Sequence, residues 1–167
     1  MSLIDRSSEI TNYLHQIEWD DPISITLTHK KWCYEFGNID RLKVDKNTLY
    51  FFNRLNKKIY KNGFNRYNKK LKSLVSVGGD GDVVRFHLHL CVDKPKHIPY
   101  LFFKSLVEDS FYKTQYGWKN KDIQPMYSKG WITYMMEQRT KTFNSNDTID
   151  RFSSSIDWVN SNFGLLN

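Results

Sequence analysis

Cysteine is scarce in this chain. Cys33 and Cys91 are the only two among 167 residues, too few for a disulfide framework or a four-thiolate zinc site. Both are expected as reduced thiols, with Cys91, in an apolar stretch, buried. No apolar run approaches the ~20 residues needed to span a bilayer, and the first residues, MSLIDRSSEITNYLHQIEW, lack the apolar centre of a secretory signal. The expectation is a soluble protein of the cytoplasm with no membrane partner. There is no internal repeat, no low-complexity tract and no GxxxxGKS/T phosphate loop, which excludes a solenoid and a P-loop motor. Acidic residues are also in the minority. Eighteen Asp and Glu face 25 Lys and Arg, for a formal charge of +7, and 16% of the residues are aromatic. Cationic groups for phosphates and flat rings for stacking are the equipment of a single-strand nucleic-acid binder.

The length suits one domain with a real core, and the whole chain, 1–167, is read as such, with a core over about 22–142 and an extension over 143–167. The four prolines, Pro22, Pro95, Pro99 and Pro125, fall at element boundaries. A short helix is expected over 8–18. In 23–28 (ISITLT) Ile23, Ile25 and Leu27 alternate with Ser24, Thr26 and Thr28, the period of a strand with one apolar face. Residues 47–61 read as a helix capped by Asn47 or Thr48, with a basic outer face. The runs 71–77 and 83–92 flank Gly78-Gly79-Asp80-Gly81-Asp82 and read as an antiparallel hairpin. Residues 100–116 carry Leu101, Phe102, Leu106 and Phe111 near helical period. A strand over 118–127, a helix over 130–142 and a short terminal helix docking Ile156, Trp158, Val159 and Phe163 complete the pattern. The order implies an α+β fold, one antiparallel sheet with packed helices.

In 83–92, alternation places Val84, Phe86, Leu88, Leu90 and Val92 on one face and Arg85, His87, His89, Cys91 and Asp93 on the other. His87 and His89 thus stand ~6.6 Å apart along one strand, within reach of a single ion. Such a pair can also merely decorate a wetted strand, and it is the second half of the pattern that gives it meaning. On the helix 130–142, Tyr134, Gln138 and Lys141 follow at i, i+4 and i+7, opposite Ile132, Met135 and Met136. A phenol, an amide and an ammonium on one stripe can address one phosphate. A metal on the histidines would neutralise that phosphate while Tyr134 attacks phosphorus in line. A phenol titrates near ~10, so a metal field and Lys141 are the means of favouring phenolate.

Phe86-His87-Leu88-His89-Leu90, followed downstream by Trp131-Ile132-Thr133-Tyr134 and preceded by the Ile23–Thr28 strand, resembles the three ordered motifs of the HUH single-strand DNA nucleases. That superfamily comprises rolling-circle replication initiators, relaxases and single-tyrosine transposases. The resemblance implies a ferredoxin-like HUH fold and a metal-dependent endonuclease with DNA-joining activity. Such an enzyme nicks single-stranded or hairpin DNA, leaves a 5′-phosphotyrosine on Tyr134 and frees a 3′-OH. It implies Mg²⁺ or Mn²⁺, and two imidazoles suit Mn²⁺ better.

The initiators usually carry Tyr-x-x-Lys, yet Glu137 stands three residues after Tyr134 and the nearest later lysine is Lys141. Gln138, four residues on, is similar to the transposases' third metal ligand. Gln138 or Glu137 is therefore the candidate third ligand beside His87 and His89, with Tyr134 and Lys141 the candidate catalytic residues. Lys57, Lys58, Lys61, Arg66, Lys69, Lys70 and Arg85, interleaved with Tyr60, Phe64 and Tyr67, are the candidate DNA surface.

The first expectation is a replication initiator of a phage, virus or plasmid, acting in a prokaryotic cytoplasm as monomer or homodimer with a helicase borrowed from its host. The alternatives are a single-tyrosine transposase and a non-catalytic ferredoxin-like nucleic-acid-binding module.

Overall fold

In a computed structural model of the chain, residues 3–137, 156–157 and 159–163 are described. Eleven elements follow in chain order: α1 (Leu3–Gln16), β1 (Pro22–His29), β2 (Trp32–Cys33), β3 (Gly37–Asn38), α2 (Arg41–Tyr60), α3 (Asn62–Tyr67), β4 (Ser73–Gly78), β5 (His87–Asp93), α4 (Tyr100–Tyr112), β6 (Gly117–Pro125) and α5 (Gly130–Glu137). Four strands make one sheet in the order β4-β5-β1-β6, with every neighbouring pair antiparallel. Apart from α1, α3, α5 and the small β2–β3 hairpin, the path is βαββαβ. The expected α+β class with an antiparallel sheet and packed helices is thus observed, and the topology is compatible with a ferredoxin-like fold.

The sheet is covered on both sides, and the two-residue period of its strands explains how. Ile23, Ile25 and Leu27 of β1 and Leu88, Leu90 and Val92 of β5 point to one face, where they pack with Phe51, Phe52 and Leu55 of α2 and Phe103, Val107 and Phe111 of α4. Leu74 and Cys91 point the other way, into a smaller core with Leu14 and Ile17 of the N-terminal region, Ile132, Met135 and Met136 of α5, and Ile156. Burial pushes the Cys91 thiol far above its usual range, as expected of a free cysteine in an apolar layer. No described helix is long and apolar enough to cross a membrane.

Several expected boundaries and faces shift. Helix α2 begins at Arg41 because Asp40 caps it, accepting from the Lys43 amide at 2.8 Å. Asn47 and Thr48, expected as caps, are buried inside the helix. The Thr48 hydroxyl donates to the Val44 carbonyl one turn back (2.8 Å), and Asn47 serves tertiary structure: it donates to Thr114 Oγ1 (3.0 Å) and accepts from the Tyr116 amide (3.2 Å), tying α2 to the turn between α4 and β6.

The 83–92 strand starts at His87. Val83 and Val84 are exposed on a loop, where Asp80 accepts from the amides of Asp82 and Val84, each at 2.9 Å. In α4 the buried stripe is Phe103, Val107, Ser110 and Phe111, while Leu101 and Phe102 face outward. Near residue 160 the expected terminal helix is replaced by bridges to β4, Ser76 with Ile156 and Ser73 with Asn162. Ile156 is buried and Val159 exposed, Phe163 packs against the smaller core, and Trp158 lies outside the described residues.

The two stripes of α4 give opposite mutational outcomes. Phe103→Ala is expected to destabilise the protein by about 3–5 kcal/mol, as transfer and cavity terms add. Leu101→Ala should stay within about 0.5 kcal/mol of wild type. Urea unfolding of both variants checks the assignment of the buried face.

Candidate active site

The residues of the candidate site stand on the face opposite α2 and α4. Cross-strand register aligns Thr26 of β1, His89 of β5 and Ser76 of β4 in one row, and Thr28, His87 and Gly78 in the next. The imidazoles of His87 and His89 meet edge to face with centroids 4.7 Å apart. His87 Nδ1 is 2.9 Å from the Arg85 carbonyl, to which it donates when protonated there, and His89 Nδ1 is 3.1 Å from Thr26 Oγ1. The carbonyl at His87 Nδ1 favours the tautomer that leaves its Nε2 with a lone pair, the usual orientation of a metal-binding imidazole, whereas the Thr26 hydroxyl can donate to or accept from His89 Nδ1.

Helix α5 lies over this face and brings Tyr134 to it. Its inner residues Ile132, Met135 and Met136 are buried, and α1 clasps it from outside. His15 Nε2 lies 2.9 Å from Thr133 Oγ1, and Lys129 Nζ donates to the His15 carbonyl at 2.6 Å. One turn before Tyr134, the Trp131 indole donates to the Leu90 carbonyl of β5 at 2.9 Å. The Trp131 and Tyr134 rings stack at 5.2 Å and 24°, and both lie nearly perpendicular to the His89 ring, at 5.5 and 5.6 Å. Tyr134 keeps 42% of its surface exposed, so a phenol fixed by packing still opens toward solvent.

The structure therefore brings together Tyr134, His87 and His89 among the expected site residues. Glu137 ends α5, while Gln138 and Lys141 lie outside the described residues. The imidazole pair fits two nitrogen ligands of a divalent ion, and among the described residues no set of three His, Cys, Asp or Glu side chains surrounds a common point.

The basic residues are placed elsewhere. Lys57 and Lys58 belong to α2, Lys61 follows it, and Arg66 belongs to α3, on the far side of the sheet from Tyr134. Lys58 pairs with Asp109 of α4, and Lys69 sits over the Tyr60 ring at 5.1 Å, with Lys70 exposed beside it. Arg85 stacks on Trp118, its guanidinium carbon 3.7 Å from the ring centre.

Thr26 and Trp131 lie inside the quoted motifs, but their contacts to His89 and Tyr134 are read only from the structure. Gly78 escapes motif reading altogether. A Cβ built there would lie 2.3 Å from His87 Nε2, so only a glycine leaves the ring its place.

Behind the pair, His29 is fully buried at the end of β1. Its Nδ1 is 3.3 Å from the Phe86 carbonyl, and its Nε2 has no partner among the described residues. Desolvation pushes its pKa down to about 4.

Comparison of the chain with protein-family models, curated proteins and solved structures returns no match.

Two outcomes follow from this geometry. Gly78→Ala should displace the His87 ring while costing no more than about 1 kcal/mol, because a half-exposed side chain can swing aside. The altered ring ¹⁵N resonances of His87 in an otherwise native spectrum are the check. His29 binds its proton more weakly folded than unfolded, so its contribution to stability is present above pH 6.5 and is lost as pH falls toward 4. Unfolding free energy should drop by up to about 3 kcal/mol across that window, and His29→Gln should flatten the slope in urea titrations at stepped pH.

Proposed function

We propose that this protein is a metal-dependent single-strand DNA endonuclease and strand transferase of the HUH type, with Tyr134 as nucleophile. The observation that carries the reading is the meeting of three separated segments on one sheet face: Thr26, the His87/His89 pair and the Trp131–Tyr134 stack. A ferredoxin-like topology that sets the imidazoles of β5 beside a half-exposed phenol agrees with it.

In this mechanism the strand lies across the exposed edge of Tyr134 with one phosphate against His87 and His89. The phenolate oxygen attacks phosphorus, a bond forms between phosphorus and Tyr134, and the bond to the 3′ oxygen breaks. That oxygen takes up a proton and leaves as a free 3′-OH. Trp131 limits the swing of the ring, so that little orientation remains to be frozen during attack. The divalent ion, Mn²⁺ or Mg²⁺, would be held by His87 and His89 with Gln138 or Glu137 and would supply charge neutralisation at the phosphate. Because phosphotyrosine conserves the bond, the reverse attack by a 3′-OH rejoins strands without a nucleotide. Lys141 is assigned to stabilising the phenolate.

The biological setting that suits this chemistry is the start of rolling-circle replication of a phage, virus or plasmid in a prokaryotic cell. Unwinding is then assigned to a host helicase. The basic segment from Lys57 to Lys70, with Arg85, is assigned to the flanking DNA, reached around the end of the sheet.

Incubation with a random single-stranded oligonucleotide pool and Mn²⁺ should yield a covalent protein–DNA band on a denaturing gel. A chelator, Tyr134→Phe, or the pair His87→Ala and His89→Ala should abolish it. No band from the wild type, or a band that survives Tyr134→Phe, removes the assignment.

A further inference from the structure

Beside Tyr134, on the side toward β6, lies a cleft of about 420 Å³ that the proposed chemistry does not use. Its floor is Ser24, Thr26, Asp122 and Gln124, and its wall is Trp131 and Tyr134. We propose that this cleft is a pocket for one unstacked nucleobase bearing an exocyclic amine, next to the phosphate that Tyr134 attacks. The inference rests on the reading of Tyr134 as nucleophile and adds to it a determinant of sequence preference.

The volume is toward the lower end of small-molecule clefts, ~300–1,000 Å³, which suits a single base rather than a duplex. The wall is the stacked ring pair, 5.2 Å apart and 24° from parallel, a flat aromatic surface of the kind on which any base can stack. The floor decides which base. Register sets Asp122 opposite Thr26 and Gln124 opposite Ser24, on the face that also carries His89, opposite Thr26 on its other side.

Gln124 Nε2 donates to Asp122 Oδ2 at 2.6 Å. This hydrogen bond fixes the carboxylate and leaves Oδ1 as an acceptor. Among the described residues no lysine or arginine pairs with Asp122. Gln124 keeps its carbonyl oxygen as an acceptor and the second hydrogen of its amide nitrogen as a donor.

The charge of the floor is therefore negative and lies on the Asp122 carboxylate. A phosphate entering it would be repelled, while the amine of cytosine, adenine or guanine can donate to Asp122. Thymine presents a carbonyl oxygen at C4 where cytosine has its amine, so it leaves the carboxylate facing another acceptor. The strand is thus sorted by sign, with the phosphate toward the imidazoles and the base into the cleft.

Two measurements test the pocket. The first sequences the DNA recovered from covalent adducts of a random single-stranded pool with Mn²⁺. One position flanking the nick should be depleted of thymine about tenfold or more with wild type, and Asp122→Asn should erase or invert that depletion, since its amide can donate to thymine O4. The second is independent of nicking and compares equilibrium binding of oligo(dC) and oligo(dT) to Tyr134→Phe with and without Asp122→Asn. These pyrimidines stack alike and differ at the exocyclic group. A preference for oligo(dC) that falls toward unity in the double variant supports the pocket. An unchanged ratio, or adduct sequences that do not respond to Asp122→Asn, overturns it. Absence of any adduct removes the nucleophile reading instead, and the binding ratio still decides the base pocket. Asp122 is exposed, and far-UV circular dichroism verifies that both variants are folded.

Discussion

A strand can be dry on both faces only if each face has its own covering layer, and β5 is where both layers of this protein meet. Leu88, Leu90 and Val92 enter the core built with α2 and α4, while Cys91 enters the core built with α5. Because successive side chains alternate, those commitments leave no freedom in where His87 and His89 point. A one-residue slip would exchange imidazoles for leucines beneath α5 and place two polar rings in the larger core, at a desolvation cost the fold could not absorb. The site's geometry is thus a by-product of packing, and both apolar layers hold it.

Tyr134 depends on a more fragile support. Helix α5 spans only eight described residues, too short to hold its shape in isolation. It is kept in place by its buried methionines, by α1 through His15, and by the Trp131 hydrogen bond to β5. That last contact ties the helix that carries Tyr134 to the strand that carries the imidazoles.

Much of this was legible in the residues because strands have a strict period. Alternation in 23–28 and 83–92 located both central strands, their apolar faces and the shared face of His87 and His89. The failures have physical causes. Around α4, Leu101, Phe102, Phe103, Leu106 and Val107 form a nearly continuous apolar band, and periodicity cannot choose between two stripes that both have helical spacing. Asn47 and Thr48 look like a cap from sequence because caps favour such residues, yet tertiary partners 67 and 69 positions away claim the Asn47 side chain. Gly78 and Asp122 act across strands, and the register that gives them their roles is set by loops whose geometry no local pattern encodes.

The bridges from the chain's end to β4 have a temporal consequence. Val75 waits for Ser161, 86 residues later, to satisfy its amide, and Asp157 for its carbonyl. At ordinary ribosomal elongation rates that interval is on the order of ten seconds. During synthesis the sheet accordingly presents an open edge for far longer than its strands need to pair, and the arrival of residues 156–162 closes the side on which a second nascent chain could add.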